Sequence, residues 1–217
     1  MQQSRRSFGS MKVKPPVAMA GQRIGIMGGS FNPPHDGHRI VAETAVKRLN
    51  LDQLWWVVTP GNPLKSNGAL PAQGERMAWC EVFARGPRMR VTGFEAELGS
   101  PYTAVTVQYL RRRFPGVAFV WVMGADNLAT FDRWQGWQDI AETIPLAVVD
   151  RPGWRLKALA SPAAHRINRS RVPEIKSTQL AHMQPPAWVF LTTRLSQLSS
   201  TVLRDRQPRR KQPSKPL

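Results

Sequence analysis

Residues 24–40 read IGIMGGSFNPPHDGHRI, and the fold of the chain turns on them. Residues 24–27 form an apolar run of strand type. Gly28-Gly29 reads as a turn, and Ser30-Phe31-Asn32-Pro33-Pro34 as an extended loop. A helical pattern begins at His35-Asp36-Gly37-His38. Strand, glycine turn and helix start together make the local architecture of an anion site. Glycines let a ligand approach the main chain, and the first turn of a helix offers free N–H groups and the positive end of its dipole.

Working outward, the helix continues through Ile40, Val41, Ala45 and Leu49 at near-helical spacing, with Glu43, Lys47 and Arg48 outside. Residues 54–59 (LWWVVT) are almost all apolar, which suits a parallel strand buried on both faces. A second helix is expected over 73–85, with Met77, Trp79, Cys80, Val82 and Phe83 as core. Strand 89–92, a glycine-containing loop at 93–101 and a third helix over 102–114 follow. Residues 117–123 (VAFVWVM) are the clearest strand, leading straight into Gly124-Ala125-Asp126-Asn127. A short helix closes at 140–144, strand 145–149 follows, and Asp150-Arg151-Pro152-Gly153 ends it. Residues 154–186 show no clear period. A last strand is expected over 187–192 and a short helix from Ser199. Trp55, Trp56 and Trp121 fall inside strand patterns and read as core.

Strands alternating with helices predict an α/β fold with a mostly parallel sheet. In such folds ligands bind beyond the carboxyl ends of the strands. The polar clusters at 28–38, 59–65, 124–127, 150–153 and 199–204 all fall at such ends.

The chain has 217 residues, 41% hydrophobic, enough for one domain with a core. Its net charge is +17. Residues 1–22 carry Arg5, Arg6, Lys12 and Lys14 without an acid, and 206–217 carry Arg206, Arg209, Arg210, Lys211 and Lys215, also without one. We therefore expect a disordered basic arm at 1–22, a single domain at 23–206 and a disordered basic tail at 207–217. The centre remains basic, which fits polyanionic ligands such as nucleotides. Cys80 is the only cysteine, so no intramolecular disulfide forms, in keeping with a reducing, cytoplasmic setting. No apolar run reaches transmembrane length, and the N-terminal stretch has no h-region.

Several chemistries are excluded. No G-x-x-x-x-G-K-[ST] is present, and the first turn reads Gly25-x-x-Gly28-Gly29 rather than G-x-G-x-x-G, so neither a P-loop nor a dinucleotide redox site is indicated. His35 and His38 have no further histidines or cysteines at metal-ligand spacing, so no protein-held metal is expected.

The string GGSFNPPHDGH resembles the H-x-G-H signature of the nucleotidyltransferase superfamily, and within it the nicotinate-mononucleotide adenylyltransferases. Other segments agree in order. Pro101-Tyr102-Thr103-Ala104 resembles the family's S/P-Y-T helix start, and Gly124-Ala125-Asp126-Asn127-Leu128 its G-x-D-x-L. Phe131 and Trp134 fall in its aromatic-rich loop. Asp150-Arg151-Pro152-Gly153 resembles R-P-G, and residues 198–204 resemble I-S-S-T-x-I-R. The resemblance covers about residues 23–206. The chain departs from the family after Arg204, where a further apolar helix usually follows and a basic tail stands instead.

The resemblance implies a Rossmann-like open parallel sheet with helices on both faces. It implies transfer of AMP from ATP to nicotinate mononucleotide, with Mg²⁺ accompanying the triphosphate. His35, His38 and Arg204 would be catalytic. Gly28, Gly29, Ser30, Phe31, His35, His38, Ser199, Ser200, Thr201 and Arg204 would bind ATP. Asn32, Lys65, Tyr102, Thr103, Asp126, Trp134 and Arg151 would bind the mononucleotide, with Trp134 stacking on its pyridine ring. The expected partners are these two small molecules, with no specific nucleic acid or membrane, in a monomer or weak homo-oligomer. Alternatives are an enzyme for nicotinamide mononucleotide or a pantetheine phosphate, a basic nucleic-acid-binding module suggested by +17, and a class I aminoacyl-tRNA synthetase fragment sharing H-x-G-H. No RNP or C₂H₂ pattern supports the module, and no K-M-S-K-S-type segment supports the fragment.

Overall fold

The alternating strands and helices assemble as one sheet. The structure, a computed structural model, describes residues 14–61 and 70–193. Its strands in chain order are β1 (Arg23–Gly29), β2 (Gln53–Val58), β3 (Met89–Thr92), β4 (Ala118–Gly124), β5 (Leu146–Val149), β6 (Arg171–Val172) and β7 (Trp188–Leu191). They lie in the order β3-β2-β1-β4-β5-β7-β6, every pair parallel. The order reverses between β1 and β4, which opens a crevice beyond their carboxyl ends.

Alternation along the strands splits the core between the two faces. Ile24, Ile26, Trp55, Val57, Trp121, Met123, Val148 and Trp188 line one face. It is covered by α3 (Thr103–Arg113), α4 (Ala125–Leu128), α5 (Trp137–Thr143), α6 (Arg155–Leu159) and α7 (Pro162–Arg166). Met27, Trp56, Val58, Val122, Val149 and Leu191 line the other, under α1 (Asp36–Arg48), α2 (Gln73–Phe83) and a 3-10 segment, Glu174–His182. Trp55, Trp56 and Trp121 are buried as the sequence implied.

Three expectations need correction, and the stretch without a clear period resolves into short elements. Gly28 and Gly29 do not turn; they end β1 in register with Val57 and Val58. They are small because a Cβ on Gly28 would lie 2.9 Å from the Trp121 ring, and one on Gly29 3.1 Å from the Phe31 ring. The turn comes at Phe31, which takes φ 44°. On α2, Val82 is exposed rather than core, and Arg76 takes a core place beside Met77 and Cys80. Val82 lies about 200° round the helix from Cys80, on the solvent side. The unread stretch 154–186 holds α6, α7, β6 and the 3-10 segment. Residues 14–22, expected within a disordered arm, run along the domain. The carbonyls of Lys14 and Val17 accept hydrogen bonds from Thr92 Oγ1 (3.1 Å) and Gln53 Nε2 (3.2 Å), and Gly21 N–H donates to the Gly116 carbonyl (2.8 Å).

Candidate active site

The site is built where β1, β4 and β5 end. His35 is the N-cap of α1, in extended conformation (φ −155°, ψ 171°). Its carbonyl accepts from the His38 N–H (2.9 Å), and its own N–H donates to His38 Nδ1 (3.2 Å). That second bond sets the His38 tautomer. A nitrogen that accepts carries no proton, so the neutral ring bears its proton on Nε2. The two imidazoles stack with centroids 3.9 Å apart, and Phe31 meets His38 edge-on at 5.0 Å.

His35 is buried, and its pKa is lowered to about 4, first by burial and then by the cation of Arg151, with Asp126 and Asp36 opposing. It is neutral at physiological pH. Asp126 opens α4 after β4, and Arg151 follows β5. Arg151 Nη1 donates to Asp126 Oδ2 at 2.8 Å, with both side chains largely shielded. A Cβ on Gly37 would lie 2.6 Å from Arg151 Nη2 and 2.8 Å from His35 Nδ1. One on Gly124 would collide with Asp126 Oδ1 and lie 2.9 Å from Arg151 Cδ. The two glycines therefore admit the Arg151 side chain between α1 and β4. His35 Nδ1, Asp126 Oδ1 and Arg151 Nη2 are all buried and have no hydrogen-bond partner among the described residues. Buried polar atoms call for partners, and these three around one crevice are placed to bond a polar ligand.

The other expected residues divide. Ser30 and Asn32 lie in the loop between β1 and α1, where Asn32 is half-buried. Tyr102 caps α3, exposed, and Thr103 is its first residue. Trp134 is half-buried, edge-on to Trp121 (6.4 Å) and Phe131 (5.3 Å). Trp121 also faces Gly28, so one ring links this aromatic cluster to the end of β1. Lys65, Ser199, Ser200, Thr201 and Arg204 lie outside the described residues. Among the described residues no cluster of three His, Cys, Asp or Glu side chains is close enough to hold a metal.

Sequence reading missed three buried polar side chains. Arg76 is 1% exposed. Glu95 is buried, accepts from Thr106 Oγ1 at 2.6 Å, and is bonded to Thr59. Asp150 is buried and pairs with Arg155. The available signal for Arg76 was its place on the Met77–Cys80 stripe of α2, one turn before Cys80.

Comparisons with known proteins give the family and the fold. The family model described as cytidylyltransferase-like matches residues 26–206. A protein of Rhizobium meliloti named "Probable nicotinate-nucleotide adenylyltransferase" is 56% identical over 83% of this chain and 96% of its own length. The chain belongs to the nicotinate-nucleotide adenylyltransferase family. An Agrobacterium fabrum member of the family is 52% identical over 84% of this chain and 97% of its own. Two solved structures of the Plasmodium falciparum nicotinic acid mononucleotide adenylyltransferase, one complexed with APC and one with NaAD, share the fold. Their TM-scores are 0.61 and 0.60, at 15% and 16% identity, and each alignment covers 85% of this chain and 83% of theirs. The Rossmann-like nucleotidyltransferase architecture of the family is the seven-stranded parallel sheet described above.

Proposed function

We propose that the chain transfers AMP from ATP to the 5′-phosphate of nicotinate mononucleotide, giving nicotinate adenine dinucleotide and pyrophosphate in NAD biosynthesis. The observation that carries this is the cluster of orphaned polar atoms, His35 Nδ1, Asp126 Oδ1 and Arg151 Nη2, at the N-terminus of α1. The names of the curated relatives, and the NaAD complex of the Plasmodium falciparum enzyme, support the substrate pair.

A phosphate oxygen of the mononucleotide attacks the α-phosphorus of ATP, and the bond from that phosphorus to the bridging oxygen breaks, releasing pyrophosphate. The nucleophile is already ionised at neutral pH, so no general base is required. Catalysis consists of positioning and charge neutralisation. His38 presents its Nε2–H to a phosphate oxygen near the reacting phosphorus. His35, held neutral, orients His38 by stacking and through its main chain. Asp126 anchors Arg151 with one oxygen and keeps the other for a ribose hydroxyl. Arg151 keeps Nη2 for a phosphate.

Gly28, Gly29, Ser30 and Phe31 line the ATP side, and Ser199, Ser200, Thr201 and Arg204 complete it in this reading. Asn32, Lys65, Tyr102, Thr103 and Trp134 belong to the mononucleotide side. Mg²⁺ would accompany the triphosphate, held chiefly by phosphate oxygens and water. It would neutralise charge on the phosphates. We place the protein in the cytoplasm with its metabolic relatives, as a monomer or weak homo-oligomer without a specific nucleic-acid partner.

The test is a product assay with ATP and either nicotinate or nicotinamide mononucleotide. Nicotinate adenine dinucleotide and pyrophosphate in equal amounts, with the acid substrate preferred, is the expected result. Preference for the amide overturns the substrate assignment. Polyanion binding without pyrophosphate release favours the binding-module alternative.

A further inference from the structure

Arg76 is a buried cation whose acceptors among the described residues are all main-chain carbonyls. Its Nε donates to Pro71 O (2.9 Å), Nη1 to Ser30 O (2.7 Å) and Thr59 O (2.9 Å), and Nη2 to Pro60 O (3.4 Å). These carbonyls come from three separate stretches: the turn after β1, the end of β2 and the approach to α2. A guanidinium presents five donors in a planar fork and can satisfy them together. An ammonium has three donors on one atom and cannot span the same spread. Burying an arginine without a carboxylate is costly, so the position calls for a purpose beyond packing.

That purpose is legible in the turn it grips. Phe31 takes φ 44°, a left-handed conformation that strains a bulky residue and persists only where its surroundings hold it. The Ser30 carbonyl grasped by Arg76 belongs to the peptide that enters this turn. The Phe31 ring is buried, lies against Gly29, tilts on Trp56 (5.2 Å) and meets the His38 imidazole edge-on. His38 in turn takes its tautomer from the His35 N–H. A continuous chain of contacts runs from Arg76 through Ser30 and Phe31 to His38.

We propose that Arg76 is a positioning residue for adenylyl transfer, holding the Ser30–Phe31 turn so that Phe31 keeps the His38 ring in the orientation at which the His35 N–H reaches its Nδ1. The proposal rests on the adenylyltransferase reading above, and Arg76 itself touches no substrate atom.

The experiment is a kinetic double-mutant cycle with a spectroscopic readout. Arg76→Lys should lower kcat about 10-fold to 10²-fold, the cost of misplacing a catalytic group by about an ångström, while KM for both substrates moves less than about threefold. In a His38→Ala background the same substitution should cost less than about twofold, because its effect passes through His38. In the wild type, ¹⁵N-labelled His38 should show a protonated Nε2 and an unprotonated Nδ1. In Arg76→Lys that pattern should shift toward a tautomer mixture. Full additivity with His38→Ala, or an unchanged His38 nitrogen spectrum, overturns the proposal. Phe31→Leu removes the ring from His38 without touching Arg76, and it should reproduce the His38-dependent loss; wild-type kcat there also overturns it. A wild-type protein that forms no dinucleotide instead refutes the functional reading. The His38 nitrogen spectrum of Arg76→Lys then decides the Arg76 proposal alone.

Discussion

His35 and His38 are three residues apart and play different parts because their surroundings differ. His35 is 2% exposed with a pKa lowered to about 4, whereas His38 is half-buried with its Nδ1 already engaged. Removing His38 deletes one donor aimed at a developing phosphate charge. His38→Ala should lower kcat by about 10²–10³-fold, as for other single oxyanion donors, with mononucleotide binding little changed. Steady-state kinetics with both substrates checks it, and near-normal turnover would remove His38 from the mechanism. His35 makes its mark on stability. The unfolded chain protonates this ring near 6.5, the folded chain only near 4, so between those values the unfolded state binds more protons. Its contribution is fully present above about pH 6.5 and lost as pH falls toward 4. Melting temperatures across pH 4–7.5 should fall toward the acid end, and His35→Asn should flatten that part of the curve. Gly37→Ala drives a methyl into Arg151 Nη2 and His35 Nδ1 at 2.6 and 2.8 Å. Neither partner can yield easily, since one is ion-paired and the other buried. Activity should fall by at least about 10²-fold, the cost of displacing catalytic groups, while far-UV circular dichroism stays native.

Elements with a single strong period were legible in advance. β2 and β4 read as continuous apolar runs because both faces of the sheet are covered, and α1 showed its buried stripe of Val41 and Ala45, continued by Leu49 at its C-cap. The stretch 154–186 was not legible, since its α-helices are five residues long and its strand two. Segments that short complete no period. Gly28-Gly29 misled for a related reason. Glycine pairs usually mark turns, but here the absence of Cβ makes room for the rings of Trp121 and Phe31, a matter of packing that no local pattern records. The candidate site divides along the same line: His35, His38, Asp126 and Arg151 were singled out because their segments resemble a family's motifs, whereas Arg76 and Glu95 acquire meaning only from neighbours on other elements. Glu95 pins α3 to the 3-10 turn Phe94–Leu98 through Thr106. Burial raises its carboxyl pKa, so the folded state binds the proton more tightly than the unfolded one and stability declines as pH rises above the ordinary carboxylate range. Glu95→Gln, which cannot ionise, should match or exceed the wild-type melting temperature at pH 8. Glu95→Ala should lower it by leaving the Thr106 hydroxyl buried without its acceptor, at a cost of about 1–3 kcal/mol. A melt of the two variants at one pH separates these effects.

At the scale of the whole molecule, fold and charge answer different questions. The parallel sheet with its reversal between β1 and β4 brings His35, Asp126 and Arg151 to one crevice, and that placement follows from topology. The net charge of +17 belongs to a separate property, since charge sets solubility and non-specific association rather than fold. Much of it sits in sequence-terminal stretches: Arg5, Arg6 and Lys12 at one end, and Arg209, Arg210, Lys211 and Lys215 at the other. The residues assigned to the two substrates all fall between Gly28 and Arg204, so none of these basic side chains is among them. Each phosphate neutralised by such residues releases condensed counterions, so any binding of nucleic acid through them must weaken steeply with salt. Deleting residues 1–13 and 207–217 should therefore leave kcat/KM for adenylyl transfer within about twofold, because it removes none of the residues assigned to the two substrates. The same deletion should flatten the dependence of DNA or heparin retention on salt, in proportion to the number of phosphates those residues neutralise. Salt-gradient elution of the two proteins, run beside the product assay, measures both. Retention that survives the deletion unchanged would move the polyanion contacts onto the sheet domain and revive the binding module as a second activity of the same surface.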